Sequence, residues 1–230
     1  MTTALNGMPA GRVAIVTGGS RGVGRAATCC LAARGYAVVV NYLHDQRAAE
    51  SLVDAILADH GNAVAVRADV ADDLDVKRLF AETIAAFGGI DVVVHAAGRR
   101  ITASEVTEVG LDEFDALMRT NTRATFVVNR EAARHLRDGG AIVNLSSSAG
   151  GSPLRTHGVH AAAKAPADVL TRALAVELRD RDITVNAVSL EAGRPCAPDQ
   201  VADVVAYLLS DQGHRLTGQV LRVGDPGLRL

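Results

Sequence analysis

The chain reads as an α/β protein: a single doubly wound parallel sheet of about seven strands, with helices on both faces. Three observations point there. Short apolar runs alternate with helical patterns along the whole length. The runs are continuously apolar and rich in β-branched residues rather than alternating, as in strands buried on both faces. A glycine-rich turn follows the first run and opens the first helical pattern. The 230 residues suit one domain spanning 1–230.

The elements are predicted in regular order. Val13–Thr17 reads as a strand and Gly24–Arg34 as a helix. The β-branched run Ala37–Asn41 precedes a helix over Ala48–Asp59. Ala63–Arg67, Leu74–Phe87 and Ile90–Val94 read as strand, helix and strand. Leu111–Leu136 carries a long helical pattern with a break near Arg119. Ala141–Leu145 is the fifth strand, Ala161–Leu178 a helix, and Ile183–Val188 the sixth strand. Asp199–Leu209 reads as helical, and Gly218–Val223 closes as a seventh strand.

Composition excludes several classes. A net charge of −2 argues against a nucleic-acid partner. No apolar run approaches membrane-spanning length. Met1–Arg12 lacks the basic start and apolar core of a signal peptide. The three cysteines form neither a disulfide framework nor metal-ligand spacing, which points to a reducing cytoplasm and no structural metal. Cys29 and Cys30 read as small apolar packing on a helix.

The first turn, Thr17-Gly18-Gly19-Ser20-Arg21-Gly22-Val23-Gly24, is built to hold a phosphate. Its glycines allow tight turning and close backbone approach, and the following helix offers free N–H groups. The second strand ends in Asn41-Tyr42, with no carboxylate until Asp45. An acid there would bind an adenosine ribose and repel a 2′-phosphate. Arg21 supplies a charge that a 2′-phosphate would pair with, the alternative being a solvated loop charge, so the expected cofactor is NADP(H) rather than NAD(H).

The second motif runs from Ser147 to Lys164. A serine closes the fifth strand, and His160 and Lys164 lie four residues apart on the helix that follows, hence on one face. A hydroxyl, an imidazole and an ammonium around one cleft make an acid/base site.

These motifs resemble the short-chain dehydrogenase/reductase family, close to its ketoreductase branch, over nearly the whole chain. Gly18, Gly22 and Gly24 match its TGxxxGxG loop. The resemblance implies a Rossmann-type fold and an adenine contact from Asp69-Val70. It also implies cofactor backbone contacts at Ala97-Gly98, within His95-Ala96-Ala97-Gly98 where the family has NNAG. Asn121, Ser147 and Lys164 align with the asparagine, serine and lysine of the catalytic tetrad. In that mechanism the asparagine holds a proton-relay water and the serine positions the substrate oxygen. The lysine lowers the tyrosine's pKa and holds the cofactor ribose. The late strand, Ile183–Val188, and Leu216-Thr217-Gly218-Gln219-Val220 also match.

Three departures stand against these matches. His160 occupies the position of the family's catalytic tyrosine. Leu190-Glu191 replaces the proline-glycine after the sixth strand. Only Ala192–Ala197 remain of a helical lid that usually has a few dozen residues. The site is therefore expected to be open, or completed by another subunit or a partner.

Three functions remain open on these residues. One is an NADPH-dependent carbonyl reductase with a histidine-modified site. Another is a non-redox cyclase, dehydratase or isomerase of a carbonyl compound, with His160 as base. The third is an NADP(H)-binding partner protein without catalysis. The alanine- and arginine-rich composition is compatible with a high-GC bacterium, where diverged family members serve secondary metabolism. The family pairs the helices around Leu111–Leu136 and Ala161–Leu178 between subunits, which implies a homotetramer or homodimer. Of the other histidines, His95 is expected to line the cofactor cleft at a strand end, with packing as the alternative role. His157 lies close enough in sequence to enter the acid/base cleft but is expected to be a solvated loop residue. His44, His60, His135 and His214 are expected at the surface.

Overall fold

A computed structural model describes residues 11–147, 156–190 and 196–224. The sheet has seven parallel strands in the order β3-β2-β1-β4-β5-β6-β7. They are β1 (Val13–Thr17), β2 (Ala37–Tyr42), β3 (Asn62–Arg67), β4 (Ile90–His95), β5 (Leu136–Ser147), β6 (Thr184–Leu190) and β7 (Val220–Val223). The helices between them are α1 (Gly22–Ala32), α2 (Gln46–Ala58), α3 (Asp73–Phe87), α4 (Leu111–Met118), α5 (Ala124–His135), α6 (Gly158–Glu177) and α7 (Pro198–Leu208).

The two-residue period of each strand divides its side chains between two layers. Ile15, Val39, Val93, Ile142 and Val185 face one core, with Leu79, Phe80 and Val128 from α3 and α5. Ala14, Val16, Val38, Val92 and Val143 face the other, beneath Leu31 of α1 and Val205 of α7. Burying each of the larger aliphatic side chains contributes about 1.5–3 kcal/mol. β1 and β2 are buried at every position, which is why their sequences are continuously apolar. The edge strands β3 and β7 are only partly buried, a departure from the uniform burial expected, because each has a neighbour on one side alone.

Several boundaries differ from the sequence-based expectation. α1 starts at Gly22, two residues early, since glycine itself begins the turn. The long pattern from Leu111 is interrupted by a π-helical turn over Arg119–Arg123, and Leu136 belongs to β5, paired with Ile90. α6 starts at Gly158 and tolerates Pro166 in its interior. Sequence chemistry explains other ends. Asp72 caps α3 by accepting from the N–H groups of Leu74 and Asp75, and Gly88 stops it at φ +79°. Asn186 joins β6 to the segment before β7: its amide donates to Leu216 O at 2.7 Å and accepts from Gln219 N at 3.1 Å. Cys29 is exposed, and Cys30 lies half-buried against α7, so only Cys30 has the packing role expected of the pair. No helix among the described residues is long and apolar enough to cross a membrane.

Candidate active site

A cleft of about 800 Å3 lies at the carboxyl ends of the strands, where the chain's strand order reverses beside β1. The glycine loop, the segment after β4, the ends of β5 and β6, and the start of α6 form its walls. A smaller cavity of about 470 Å3 between α1 and α2 opens at the other end of the strands.

The glycine loop is shaped by backbone contacts. Gly18 takes φ +60°, and a Cβ there would stand 2.9 Å from the Cα of Ala97. A Cβ on Gly24 would collide with the carbonyl of Gly18. α1 has no side-chain cap and no acid in its first turn, so its first N–H groups and its positive dipole end are not neutralised by the helix's own side chains. Arg21, Gly22, Val23 and Gly24 border the cleft, while Ser20 is buried behind them. This cradle fits the pyrophosphate of a dinucleotide.

At the adenosine end, the residues anticipated from sequence behave differently. Asn41 is buried. Its Oδ1 accepts from Gly18 N at 3.3 Å, and its Nδ2 donates to Val66 O and Ala68 O at 3.3 and 3.1 Å. Tyr42 packs with α2 and Val70 with α3 in the cores. The side chains of Asn41, Tyr42 and Val70 thus turn inward, because these positions close the layers of the sheet. Asp69 accepts from Ala71 N at 2.9 Å and pairs with Arg119 at 2.8 Å. Arg21 is exposed and stands 3.7 Å from Asp45, an ion pair worth at most about 1 kcal/mol.

The acid/base residues converge. Ser147 ends β5, half-buried, and lines the cleft with His160 and Lys164 from the first two turns of α6. Lys164 is buried and donates to Leu145 O at 3.3 Å. Burial lowers its pKa to about 8. His160 is lowered to about 4, first by burial, then by the positive charges of Lys164 and Arg100 and by His157. Its imidazole is neutral at pH 7. Its Nδ1 is buried without a hydrogen-bond partner, as is Ser146 Oγ on the same wall.

Asn121 sits on the π-turn, one layer behind. Its Nδ2 donates to Arg99 O at 2.9 Å and its Oδ1 accepts from Arg99 N at 3.0 Å. Thr122 ties the same turn to α6 by donating to Ala163 O at 2.9 Å. Gly98 fits between them: a Cβ would stand 2.7 Å from Lys164 Nζ and 2.9 Å from Asn121 Oδ1. Ala97 donates its N–H to Thr17 Oγ1 at 3.2 Å.

Two histidines are placed otherwise than expected. His95 does not line the cleft. It is wholly buried, with Nδ1 2.8 Å from Thr17 Oγ1, and burial, then Lys164, lowers its pKa to about 3. His157, expected in solvent, is half-buried at the start of α6 and lines the cleft. Sequence reading missed Arg99, Arg100 and Cys196 in the walls. The signal for the arginines was available: two adjacent cations directly after the Ala97-Gly98 turn. Ser148-Ala149-Gly150, Glu191 and residues 192–195 lie outside the described residues.

A family model described as short chain dehydrogenase matches residues 12–192. Versicolorin reductase 1 of Aspergillus parasiticus is 42% identical, over 95% of this chain and 97% of its own length. That alignment spans 257 positions, more than the chain has, so the relative contains residues with no counterpart here. A dehydrogenase/reductase from Sinorhizobium meliloti 1021 superposes with a TM-score of 0.88 at 35% identity, over 94% of each chain. A short chain dehydrogenase from Burkholderia cenocepacia J2315, solved in complex with NADP, gives 0.87 at 34% identity, over 94% of this chain and 97% of that one.

Proposed function

The chain belongs to the short-chain dehydrogenase family and is an oxidoreductase of that family, and we propose that it reduces the carbonyl group of a small molecule with NADPH. The observation that carries this reading is the meeting of His160, Ser147 and Lys164 in the same cleft that the uncapped start of α1 borders. A relative of this fold with NADP bound supports the cofactor class.

The loop Gly18–Gly24 would hold the pyrophosphate, Arg21 a 2′-phosphate, and Lys164 the ribose beside the nicotinamide. When bound, the nicotinamide supplies the hydride. The chain's own residues must then bind the carbonyl, polarise it and deliver one proton to its oxygen. His160 is too weak a base to carry an exchangeable second proton at pH 7, so it acts as a neutral N–H donor toward the oxygen, with the Ser147 hydroxyl. Lys164, with a pKa near 8, is mostly protonated at pH 7 and is the proton source, directly or through water placed near Asn121 and the Arg99 backbone. A pKa near 4 also counts against His160 as the general base of a non-redox reaction, since a base is most effective near the working pH.

β6 ends at Leu190 and α7 begins at Pro198, so only residues 191–197 join them. The short connection supports a substrate site that is open, or closed by a second copy in a homo-oligomer.

The reading is tested by following NADPH absorbance while a ketone is converted to its alcohol. One NADPH consumed per alcohol formed is the expected result. Product formed without NADPH loss would overturn it.

A further inference from the structure

Beside Arg21 and Lys164, two further cations line the cleft. Arg21 and Lys164 would hold the 2′-phosphate and the ribose of the cofactor. Arg99 and Arg100 remain, and no Asp or Glu stands among the described lining residues. Neither guanidinium forms an ion pair or hydrogen bond with any described residue; Arg99 is held by its backbone alone, through Asn121. Arg100 lines the cleft with His160, and its charge adds to that of Lys164 in disfavouring the imidazolium. Two arginines in a concave site without counter-charge recognise an anionic oxygen group.

We propose that the substrate is itself an anion: a carbonyl compound bearing an ionised oxygen acid, either a carboxylate or an acidic hydroxyl, bound by Arg99 and Arg100. This rests on the carbonyl-reductase reading for the chemistry, but the charge selectivity has its own readout. The π-turn serves it, because Asn121 fixes the backbone from which Arg99 projects. The open cleft serves it as well, since arginines near solvent attract an anion from a distance at low salt.

The test uses two matched pairs with the NADP-loaded protein: acetoacetate against its ethyl ester, and 2-hydroxy-1,4-naphthoquinone against its methyl ether. Affinity is measured by titration calorimetry with NADP+ present, and kcat/KM by NADPH consumption. The anion of at least one pair should bind roughly tenfold or more tightly than its neutral partner. That preference should shrink as salt is raised. The pair that shows it identifies the acid as carboxylate or hydroxyl. Arg99→Ala with Arg100→Ala should abolish the preference, whereas Arg99→Lys with Arg100→Lys should keep part of it. Circular dichroism melting separates this loss from misfolding. Selective anion binding without NADPH consumption would uphold this proposal and overturn the reductase reading. Equal affinity and equal kcat/KM within both pairs would overturn this proposal and leave the reductase reading standing. A preference that survives removal of both arginines would overturn it too.

Discussion

At the scale of single residues, a buried imidazole beside a buried ammonium decides the acid/base chemistry. His160 loses the water that would solvate its cation and meets repulsion from Lys164, so it stays neutral down to a pH near 4. Lys164, lowered by burial to about 8, becomes the group that titrates near neutrality. The pH–rate profile for carbonyl reduction should therefore be flat from about pH 5 to about pH 7.5, with no inflection at an ordinary histidine pKa. Above about pH 8 it should fall toward tenfold per unit as Lys164 loses its proton. His160→Ala should lower kcat by about two to three powers of ten, the cost of losing a donor at the developing oxyanion. His160→Tyr should retain or raise reduction of a simple ketone; full activity in His160→Ala would show the imidazole to be a mere filler. The weak pair of Arg21 with Asp45 leaves the guanidinium able to turn to a 2′-phosphate. Arg21→Ala should weaken NADPH binding by about 1–3 kcal/mol and NADH binding much less. Calorimetry showing equal affinity for the two cofactors in the unchanged protein would rule this out.

At the scale of elements, the π-turn at Arg119–Arg123 joins three parts of the site. Asn121 holds the Arg99 backbone, Thr122 holds α6, and Arg119 pairs with Asp69 beyond β3. The extra residue in such a turn widens the helix locally and directs a side chain that a regular helix would aim elsewhere. Asn121→Ala removes both bonds to Arg99 and leaves an N–H and a carbonyl to find water. The melting transition should report a loss of about 1–3 kcal/mol, and turnover should fall with it. Unchanged stability and turnover would mean that the turn is not a support for the site.

At the scale of the whole molecule, two properties follow from surfaces and cores. Val169 and Val176 on α6 and Phe126 on α5 are exposed apolar side chains on the helices expected to pair between subunits. Light scattering should find a homodimer or homotetramer, and Val169→Glu with Val176→Glu should release smaller species. A monomeric unchanged protein at micromolar concentration would refute the assembly. The second property is acid sensitivity. His95 and His160 have folded pKa values of about 3 and about 4, below the ordinary 6.5. Between those limits the unfolded chain binds protons that the folded protein refuses. Stability should thus fall as pH drops from about 6.5, by up to about 1.4 kcal/mol per unit for each histidine. Denaturant midpoints for His95→Asn should show a shallower acid slope; an identical slope would mean that His95 is solvated in the native state.

The order and kind of the elements were legible in the amino-acid sequence, because continuous apolar runs and helical spacing report burial directly, residue by residue. So was the glycine loop, since only glycine tolerates the turn at Gly18 and the close approach of Gly24 to Gly18. His160 and Lys164 on one face followed from a four-residue spacing within a single helix. The tertiary structure alone decided what depends on contacts across the fold. It turned Asn41, Tyr42 and Val70 inward, buried His95, and brought Cys196 into the cleft. Local spacing carries no record of such contacts, because each joins segments that the parallel sheet brings together from distant parts of the chain. The charge state of His160 belongs to the same class: it is set by an ammonium one turn away, by how deeply α6 seats both groups, and by a guanidinium arriving from the end of β4.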